Sequence, residues 1–425
     1  MRSPNLLKKK MLPVLLIPFF LLPLMIISDA QTTQAAPRKT MVRKTGLISE
    51  HAHRKLKRIH DLLSNKDYDS ALDILQKLYK TSSERPFEQA QALQTLGYLY
   101  AQKEEYAASI QYFEKALALE QLPVATTLST MHTVAQLYVA TQKYNKALKM
   151  LLDWFDYKEN PSPQAYILLG TIYGELKQYK RAIEPVQHAI DISKDPKEQW
   201  LQYLLALYYD LERFQEASGV LQTLISKFPD NPVYWKQLSG IYLNLDEPDE
   251  ALSVMKLAYK KGFITAATDL KNLTILLLDQ GLPYQAGNII EKALTDKKVP
   301  SSEKNWVLAA NCWITAKEYE KAITSYEKAG NLAKTGENFV KQGQLYSELE
   351  DWQGAYNALA KGLAKGKLKD SGQALLMMGI VKYHLQDSKG AVEAFTQAEK
   401  HLKTRKQAKV WLAYFKDAKQ DSVGF

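Results

Sequence analysis

The sequence predicts an all-α fold, a solenoid of about ten helix-turn-helix repeats that ends in a C-terminal capping helix. The first observation behind this prediction is a small residue that recurs at steps of 33 to 38 positions, namely Ala71, Ser109, Ala147, Ala182, Ala217, Ala251, Ala286, Ala322, Ala355 and Ala391. The second is that an aromatic residue or a proline stands three positions before nine of these ten residues. Such a period indicates one supersecondary unit repeated along the chain, in which each copy packs on its neighbours.

The period also orders the positions around the recurring small residue. When that residue is placed at position 20 of a unit of about 34 residues, the units begin near residues 52, 90, 128, 163, 198, 232, 267, 303, 336 and 372. Position 8 is then mostly small, as in Gly97 and Gly379, and position 11 is mostly aromatic, as in Tyr100 and Trp313. Because only small side chains let two helices approach closely, we expect the helices of a unit to meet at positions 8 and 20.

The first 30 residues are typical of a secretory signal peptide. Basic residues from Arg2 to Lys10 precede an uninterrupted apolar run from Met11 to Ile27, and the small residues Ser28 and Ala30 favour cleavage before Gln31. We therefore expect a periplasmic protein. A retained inner-membrane anchor is the less favoured alternative, because the run is shorter than the roughly 20 residues that span a bilayer and contains three prolines.

The rest of the chain is predicted to form three further segments. Residues 31–47 are expected to be a flexible basic and polar arm, residues 48–402 the solenoid, and residues 403–425 a capping helix and tail. The apolar side of the cap, which we expect to face the array, consists of Val410, Trp411, Ala413, Tyr414 and Phe415.

The positive charge is concentrated near the N-terminus. The formal net charge is +10, and removing residues 1–30 takes away four positive charges and one negative charge, which leaves +7. Eight basic residues between Arg38 and Arg58 stand against Glu50 alone. In an exported protein, we expect this basic arm to contact anionic lipid headgroups or an acidic protein, and we expect no nucleic-acid partner. A basic surface that contacts only solvent is the alternative.

Taken together, the spacing and the residue types at positions 8, 11 and 20 resemble the tetratricopeptide repeat family, over ten units. The resemblance implies a right-handed superhelical solenoid that binds another protein in its concave groove.

A narrower resemblance involves four segments, which are Ala92–Tyr98, Tyr234–Tyr242, Ala258–Phe263 and Gly281–Ala286. Together with the signal peptide they resemble the periplasmic tetratricopeptide proteins associated with TonB-type energy-transducing systems of Gram-negative bacteria. This resemblance implies an accessory role beside ExbB- and ExbD-like proteins, with extended segments of the inner-membrane complex as partners. A scaffold for pilus, polysaccharide or outer-membrane assembly is the alternative.

The groove is expected to be lined by positions 2, 5, 9, 12 and 13 of the first helices. The candidate partner-binding residues at these positions are Gln91, Gln94, Tyr98, His132, Gln136, Gln164, Gln199, Gln202, Tyr209, Lys236, Asn244, Lys271 and Asn311. A carboxamide offers donors and an acceptor, so glutamines can pair with the backbone of an extended peptide whatever its sequence. Exposed tyrosines can anchor apolar side chains. A polar surface that only keeps the protein soluble is the alternative reading.

No residue pattern indicates an enzyme, a cofactor or a metal site. The single cysteine, Cys312, lies within a predicted helix and is expected to be a small buried hydrophobic residue. The histidines His51, His53 and His60 cluster near the first repeat, but no acidic or cysteine ligand completes a metal set in the sequence pattern. We therefore predict a binding protein without catalytic residues.

The signal peptide generates the first testable prediction. The intact mass of the protein from a periplasmic extract should match a chain that begins at Gln31, because a peptidase cuts after small residues that follow the apolar run. A full-length species that stays with the membrane fraction would contradict this prediction and support the retained anchor.

Overall fold

The computed structural model describes residues 40–41 and 46–421. The predicted signal peptide and most of the predicted arm lie outside the described residues. Within these ranges the regular secondary structure is entirely α-helical, which confirms the predicted all-α repeat fold.

The helices alternate between first and second members of ten pairs. The first helices are α1 (Glu50–Ser64), α3 (Pro86–Gln102), α5 (Val124–Ala140), α7 (Pro163–Glu175), α9 (Glu198–Asp210), α11 (Pro232–Asn244), α13 (Ala267–Asp279), α15 (Glu303–Thr315), α17 (Glu337–Glu348) and α19 (Ser371–His384). The second helices are α2 (Tyr68–Thr81), α4 (Tyr106–Ala118), α6 (Tyr144–Tyr157), α8 (Tyr179–Asp191), α10 (Phe214–Lys227), α12 (Pro248–Lys260), α14 (Pro283–Thr295), α16 (Tyr319–Leu332), α18 (Trp352–Lys365) and α20 (Ser388–Glu399). The last helix is α21 (Arg405–Asp421).

Every second helix begins at the residue that stands three positions before the recurring small residue. This residue is aromatic in seven pairs, proline in α12 and α14, and serine in α20. Proline suits the first helical position, because the N–H that it lacks would have no intrahelical partner there. The conspicuous residue in the sequence pattern therefore marks where each second helix starts.

The turn between the two helices of a pair has the same conformation in all ten pairs. Two residues before each second helix, the backbone is left-handed, with φ between 54° and 67°. The next residue donates its N–H to the carbonyl five residues back, as Glu105 does to Tyr100 at 2.9 Å and Arg213 does to Tyr208 at 2.8 Å. This is the Schellman arrangement, which satisfies carbonyl groups at a helix end. In most pairs, the accepting carbonyl belongs to the aromatic residue of position 11.

Position 8 of the first helix meets position 24 of the second helix at very close range. A Cβ atom added to Gly97 would lie 2.6 Å from Cδ1 of Phe113, and one added to Gly379 would lie 2.5 Å from Cε1 of Phe395. The same steric contact relates Gly170 to Val186 and Gly343 to Leu359, each sixteen residues apart. The large side chain of the second helix thus occupies the volume that a side chain at position 8 would need.

Serine at these positions adds a hydrogen bond to the close contact. Ser109 at position 20 donates its Oγ to the Gly97 carbonyl at 2.7 Å, and Ser239 at position 8 donates to the Ala251 carbonyl at 3.0 Å. Both serines are buried. Because a buried hydroxyl needs a partner, a small polar residue is tolerated here only where the facing backbone is near.

The chain forms two compact units, each with its own core. The first contains the described residues up to Val134 together with Leu152–Glu159, and the second contains Ala135–Leu151 and the residues from Asn160 onward. Cys312 lies in the second unit, fully buried against Trp306 and Ala309. Burial raises the pKa of this thiol to about 12, so the cysteine is a packing residue, as expected from the sequence.

The capping helix packs through part of the side that the sequence predicted. Trp411 stacks on Phe395 with ring centroids 5.2 Å apart, and Ala408, Leu412 and Phe415 complete the inward side. Tyr414 is half exposed but meets Tyr383 of α19 edge-to-face, with ring centroids 6.0 Å and hydroxyl oxygens 3.2 Å apart. The expected contacts of Val410 and Ala413 with the array were wrong, because these two side chains are exposed. Residues 408, 411, 412 and 415 form one helical stripe, and residues 410, 413 and 414 lie on the adjoining face.

The close approach at position 8 predicts opposite effects for two glycine substitutions. Gly97→Ala should lower the free energy of unfolding by about 1–3 kcal/mol, because the added methyl group overlaps the buried Phe113 ring. Gly219→Ala should raise it by up to about 1 kcal/mol, since Gly219 is exposed in α10, no atom lies within 4 Å of the added carbon, and alanine favours helix. Urea unfolding followed by circular dichroism measures both changes. Equal shifts in the two variants would contradict the proposed contact.

Candidate functional site

The predicted groove residues lie on the first helices, on the face formed by positions 2, 5, 9, 12 and 13, which we call the groove face. In the first unit, Gln94 and Gln91 are half-buried, and the Nε2 of Gln94 already donates to the Thr130 hydroxyl at 3.0 Å. Tyr98 is partly exposed and meets the Phe113 ring edge-to-face, with centroids 4.9 Å apart. Gln94 and Tyr98 are therefore held by neighbours within the unit, whereas the buried Oε1 of Gln91 has no hydrogen-bond partner in the described part of the chain.

His132 is the most buried titratable residue of the predicted set. Its ring lies 5.1 Å from the ring of Trp154. Burial lowers the pKa of this imidazole, so the neutral form is favoured. The histidine therefore acts as a packing group on the groove face and adds no positive charge to it at neutral pH.

In the second unit the predicted residues divide into exposed and paired side chains. The exposed ones are Gln136, Gln164, Gln199, Gln202, Tyr209, Asn244 and Asn311. Lys236 forms an ion pair with Asp269, with Nζ and Oδ2 3.2 Å apart, and Asn311 accepts a hydrogen bond from Tyr326 at 3.1 Å. Lys271 is half-buried. Most of the exposed amides are carried by α5, α7 and α9.

Three predicted residues meet in a cavity between α9 and α11. The cavity has a volume of about 560 Å³ and is lined by Gln202, Leu205, Ala206, Tyr209, Asp210, Leu221, Val233, Tyr234, Gln237, Gly240, Ile241 and Asn244. This volume falls in the range of sites that hold small ligands or peptide side chains. The structure therefore concentrates Gln202, Tyr209 and Asn244 at one place. Ten predicted residues lie outside this cavity.

The cavity is open because position 9 is small in two successive repeats. Ala206 and Gly240 occupy this position in α9 and α11, and no atom lies within 4 Å of a carbon added to Gly240. Other first helices carry larger residues there, namely Tyr98, Gln136, Thr171, Ile275, Asn311, Gln344 and Ile380. Two adjacent small residues thus leave space that larger side chains occupy elsewhere.

A hydrogen-bond network fixes the polar wall of the cavity. The Tyr234 hydroxyl accepts a hydrogen bond from Nε2 of Gln202 at 2.6 Å and donates to the Glu198 carboxylate. Burial is the main cause that raises the pKa of this tyrosine, so it stays protonated at neutral pH. Since Tyr234 holds the amide nitrogen of Gln202, the amide oxygen is the group left to accept a hydrogen bond from a ligand.

The cavity combines exposed apolar groups with neutral hydrogen-bonding groups. Tyr209 and Val233 are 55% and 47% exposed and line the same cavity, so their apolar surfaces form one patch. Gln202, Gln237 and Asn244 surround them, and Asp210 is the one charged residue of the lining. This arrangement can hold an apolar side chain of a peptide and pair with its backbone without a charge requirement.

The sequence analysis missed Val233, Asp210, Gln237 and Gly240. Val233, Gly240 and Asp210 occupy positions 2, 9 and 13, which belong to the groove face. They were passed over because the selection favoured amides, tyrosines and cations. A search for small residues at position 9 of neighbouring repeats would have located the cavity. Gln237 stands at position 6, so the position rule gave no signal for it.

No group of three or more His, Cys, Asp or Glu side chains within the described ranges could hold a metal ion. In the part of the chain that the structure describes, no helix has the length and apolar character to cross a membrane. On α1, Arg54, Lys57 and Arg58 are exposed, and the basic residues Arg38, Lys39, Arg43 and Lys44 lie outside the described residues.

Several solved structures are similar to this chain at low sequence identity. A tetratricopeptide repeat protein from Parabacteroides merdae is 16% identical, over 67% of this chain and 94% of that one, with a TM-score of 0.37. YrrB, described as a TPR protein with an unusual peptide-binding site, is 17% identical over 43% and 90% of the two chains, with a TM-score of 0.35. PilW, described as a type IV pilus biogenesis factor, is 15% identical over 51% and 100%, with a TM-score of 0.31.

No curated protein sequence matches the chain. A family model does match it, that of the coatomer epsilon subunit, over residues 63–327. The matched segment covers more than half of the chain and extends from the end of α1 into α16. The chain therefore belongs to the coatomer epsilon subunit family, a family of tetratricopeptide-like helical repeat proteins.

Proposed function

We propose that this protein is an exported periplasmic scaffold that binds an extended segment of a partner protein on its groove face. The observation that carries the proposal is the cavity between α9 and α11, where Tyr209 and Val233 are exposed beside three carboxamides. The partner segment places an apolar side chain between the two exposed groups, and its backbone pairs with the amides.

The residues of the cavity favour an extended segment over a helix or a charged peptide. An extended chain, including a proline-rich one, has backbone groups that are free to pair with side chains. Gln202 offers an acceptor, and Gln237 and Asn244 offer both donors and acceptors. Because the lining contains one acidic residue and no basic residue, it gives no strong preference for an acidic partner.

We further propose that the partner belongs to a TonB-type energy-transducing complex, for which this protein is an accessory. The support is the resemblance of four repeat segments and the signal-like first 30 residues. The family description names a subunit of a larger assembly, which is consistent with a scaffold role. In this proposal the basic arm between Arg38 and Arg58 lies near anionic headgroups or an acidic partner and orients the scaffold.

Site-specific photo-crosslinking in cells tests which complex is bound. A crosslinker at Gln202 or Gln237 should capture the energy transducer or its ExbB- and ExbD-like subunits, because both residues line the cavity. A crosslinker at Thr223, which is exposed on α10 outside the cavity, is the matched control and should capture neither. Capture of pilus, polysaccharide or outer-membrane assembly proteins from Gln202 would contradict the TonB-type role and favour the alternative scaffold.

Filling the cavity should abolish binding without unfolding the protein. Gly240→Tyr places a ring in the open space at position 9, and we expect it to weaken binding of a synthetic periplasmic segment of the transducer by roughly tenfold or more. Gly219→Tyr is the matched control, since it is also an exposed helical glycine with open space around it. Fluorescence anisotropy measures both affinities. Unchanged binding by the Gly240 variant would rule out this cavity as the binding site.

A further inference from the structure

The last helix of the array carries an exposed apolar strip. Val410 and Tyr414, one turn apart on α21, are 66% and 50% exposed, and Ala413 between them is also exposed. One repeat earlier, at a distance of 34 residues, the corresponding positions on α19 are Leu376, Gly379 and Ile380. Leu376 and Gly379 are buried and Ile380 is half-buried. These three positions are therefore wholly or partly buried in the tenth pair, whereas the side chains at the corresponding positions of α21 are exposed.

The difference has a structural cause. On α19, the second helix α20 covers Gly379 so closely that an added carbon would lie 2.5 Å from the Phe395 ring. Among the described residues no helix follows α21, and Ala413 is exposed there. The helix α21 is a first helix by its packing, because its Trp411 and Ala408 cover the tenth pair. Ala413 takes position 8, where the glycines of other pairs meet their second helix, and Val410 and Tyr414 flank it at positions 5 and 9 of the groove face.

A cavity adjoins this strip and lacks an aromatic side chain. It has a volume of about 610 Å³ and is lined by Tyr383, Ser388, Lys389, Val392, Glu393, Tyr414 and Phe415. Ser388 stands where every other second helix begins with an aromatic residue or a proline. In the ninth pair, Trp352 occupies that position and stacks on His384 of the following first helix, with ring centroids 3.8 Å apart. The small Ser388 leaves the corresponding volume open.

The charges around the cavity select the kind of partner. The cavity lining itself carries one charge of each sign, Lys389 and Glu393. Between Asp387 and Asp421 the chain carries eight Lys or Arg residues and five acidic residues, a difference of three positive charges. Of the acidic residues, Asp387 pairs with Lys382 and Glu399 with Lys409. Arg405, Lys406 and Lys416 are exposed. A second copy would bring the same positive charges face to face, whereas an acidic partner would find complementary charge.

We propose that α20 and α21 dock an acidic amphipathic helix of a partner protein. The apolar side of that helix covers Val410, Ala413 and Tyr414, and one aromatic side chain enters the cavity beside Ser388. Its acidic residues lie near the exposed lysines of α21. This surface is separate from the cavity between α9 and α11, and the inference does not depend on the function proposed for that cavity.

A designed helical peptide tests the proposal on the full-length protein. The probe is a labelled 18-residue peptide of about five turns, with leucines and one tryptophan on one side and glutamates on the other. Two matched peptides replace the tryptophan by alanine or the glutamates by lysines. We expect the acidic tryptophan peptide to bind at least ten times more tightly than either control peptide, with an affinity that falls as salt rises.

One variant separates docking from folding. Ser388→Trp restores an aromatic residue at the start of α20, so it should fill the cavity from within the chain, keep the helical circular dichroism and weaken peptide binding at least tenfold. Gly240→Tyr, at the other cavity, should leave binding of this peptide unchanged. Equal binding of the acidic and lysine peptides, or full binding by Ser388→Trp, would overturn the proposal. So would a dimer in sedimentation that Val410→Glu dissociates, because the face would then pair with a second copy.

Discussion

The packing of four of the ten helix pairs depends on one steric constraint, the close approach of two helices at a position without a side chain. At Gly97, Gly170, Gly343 and Gly379 the facing side chain of the second helix occupies the space where a Cβ atom would lie. This contact sets the distance between the helices of a pair, and the buried rings or aliphatic groups around it provide the apolar burial that stabilises them. The Schellman turn then fixes the order and direction of the pair, since the same backbone hydrogen bond closes all ten turns.

The two proposed binding surfaces lie where residues depart from the repeat pattern. The cavity between α9 and α11 exists because Ala206 and Gly240 are both small at position 9. The cavity beside α21 exists because Ser388 replaces the aromatic residue that begins most second helices. In both places the contacts between the two helices of a pair are kept, so one or two small side chains open space without changing how the helices pack. A regular scaffold can therefore gain binding sites by local loss of side-chain volume.

The sequence was a good guide to the fold because the period is a local signal. The aromatic residue or proline of each unit coincides with the first residue of a second helix, as at Tyr106 and Pro248. The first helices of the fourth to eighth pairs start at the predicted residues, and those of the first three pairs start two to four residues earlier. There, Glu50, Pro86 and Val124 extend the helices beyond the repeat unit, which the period alone does not indicate.

The candidate site was only partly predictable, because exposure and pairing depend on neighbours that are distant in the sequence. Thr130 engages Gln94 across 36 residues, and Tyr234 engages Gln202 across 32 residues. The sequence pattern identified the groove face but gave no measure of empty volume, so of the thirteen residues that it named, Gln202, Tyr209 and Asn244 line the cavity and ten do not. At α21 the pattern identified an amphipathic helix and its contacts through Trp411 and Phe415, but it assigned Val410 and Ala413 to the wrong side, since helical apolar stripes that adjoin each other are hard to separate.

A double-mutant cycle at Gly170 and Val186 tests the central steric claim most directly. Gly170→Ala adds a methyl group where Val186 now lies, and Val186→Ala removes the methyl groups that occupy this volume. If the contact sets the helix distance, the free energy of unfolding should fall less in the double variant than the two single losses added together. The expected difference is about 1 kcal/mol or more. Free energies of unfolding that simply add would contradict the account, because the two positions would then not share one volume.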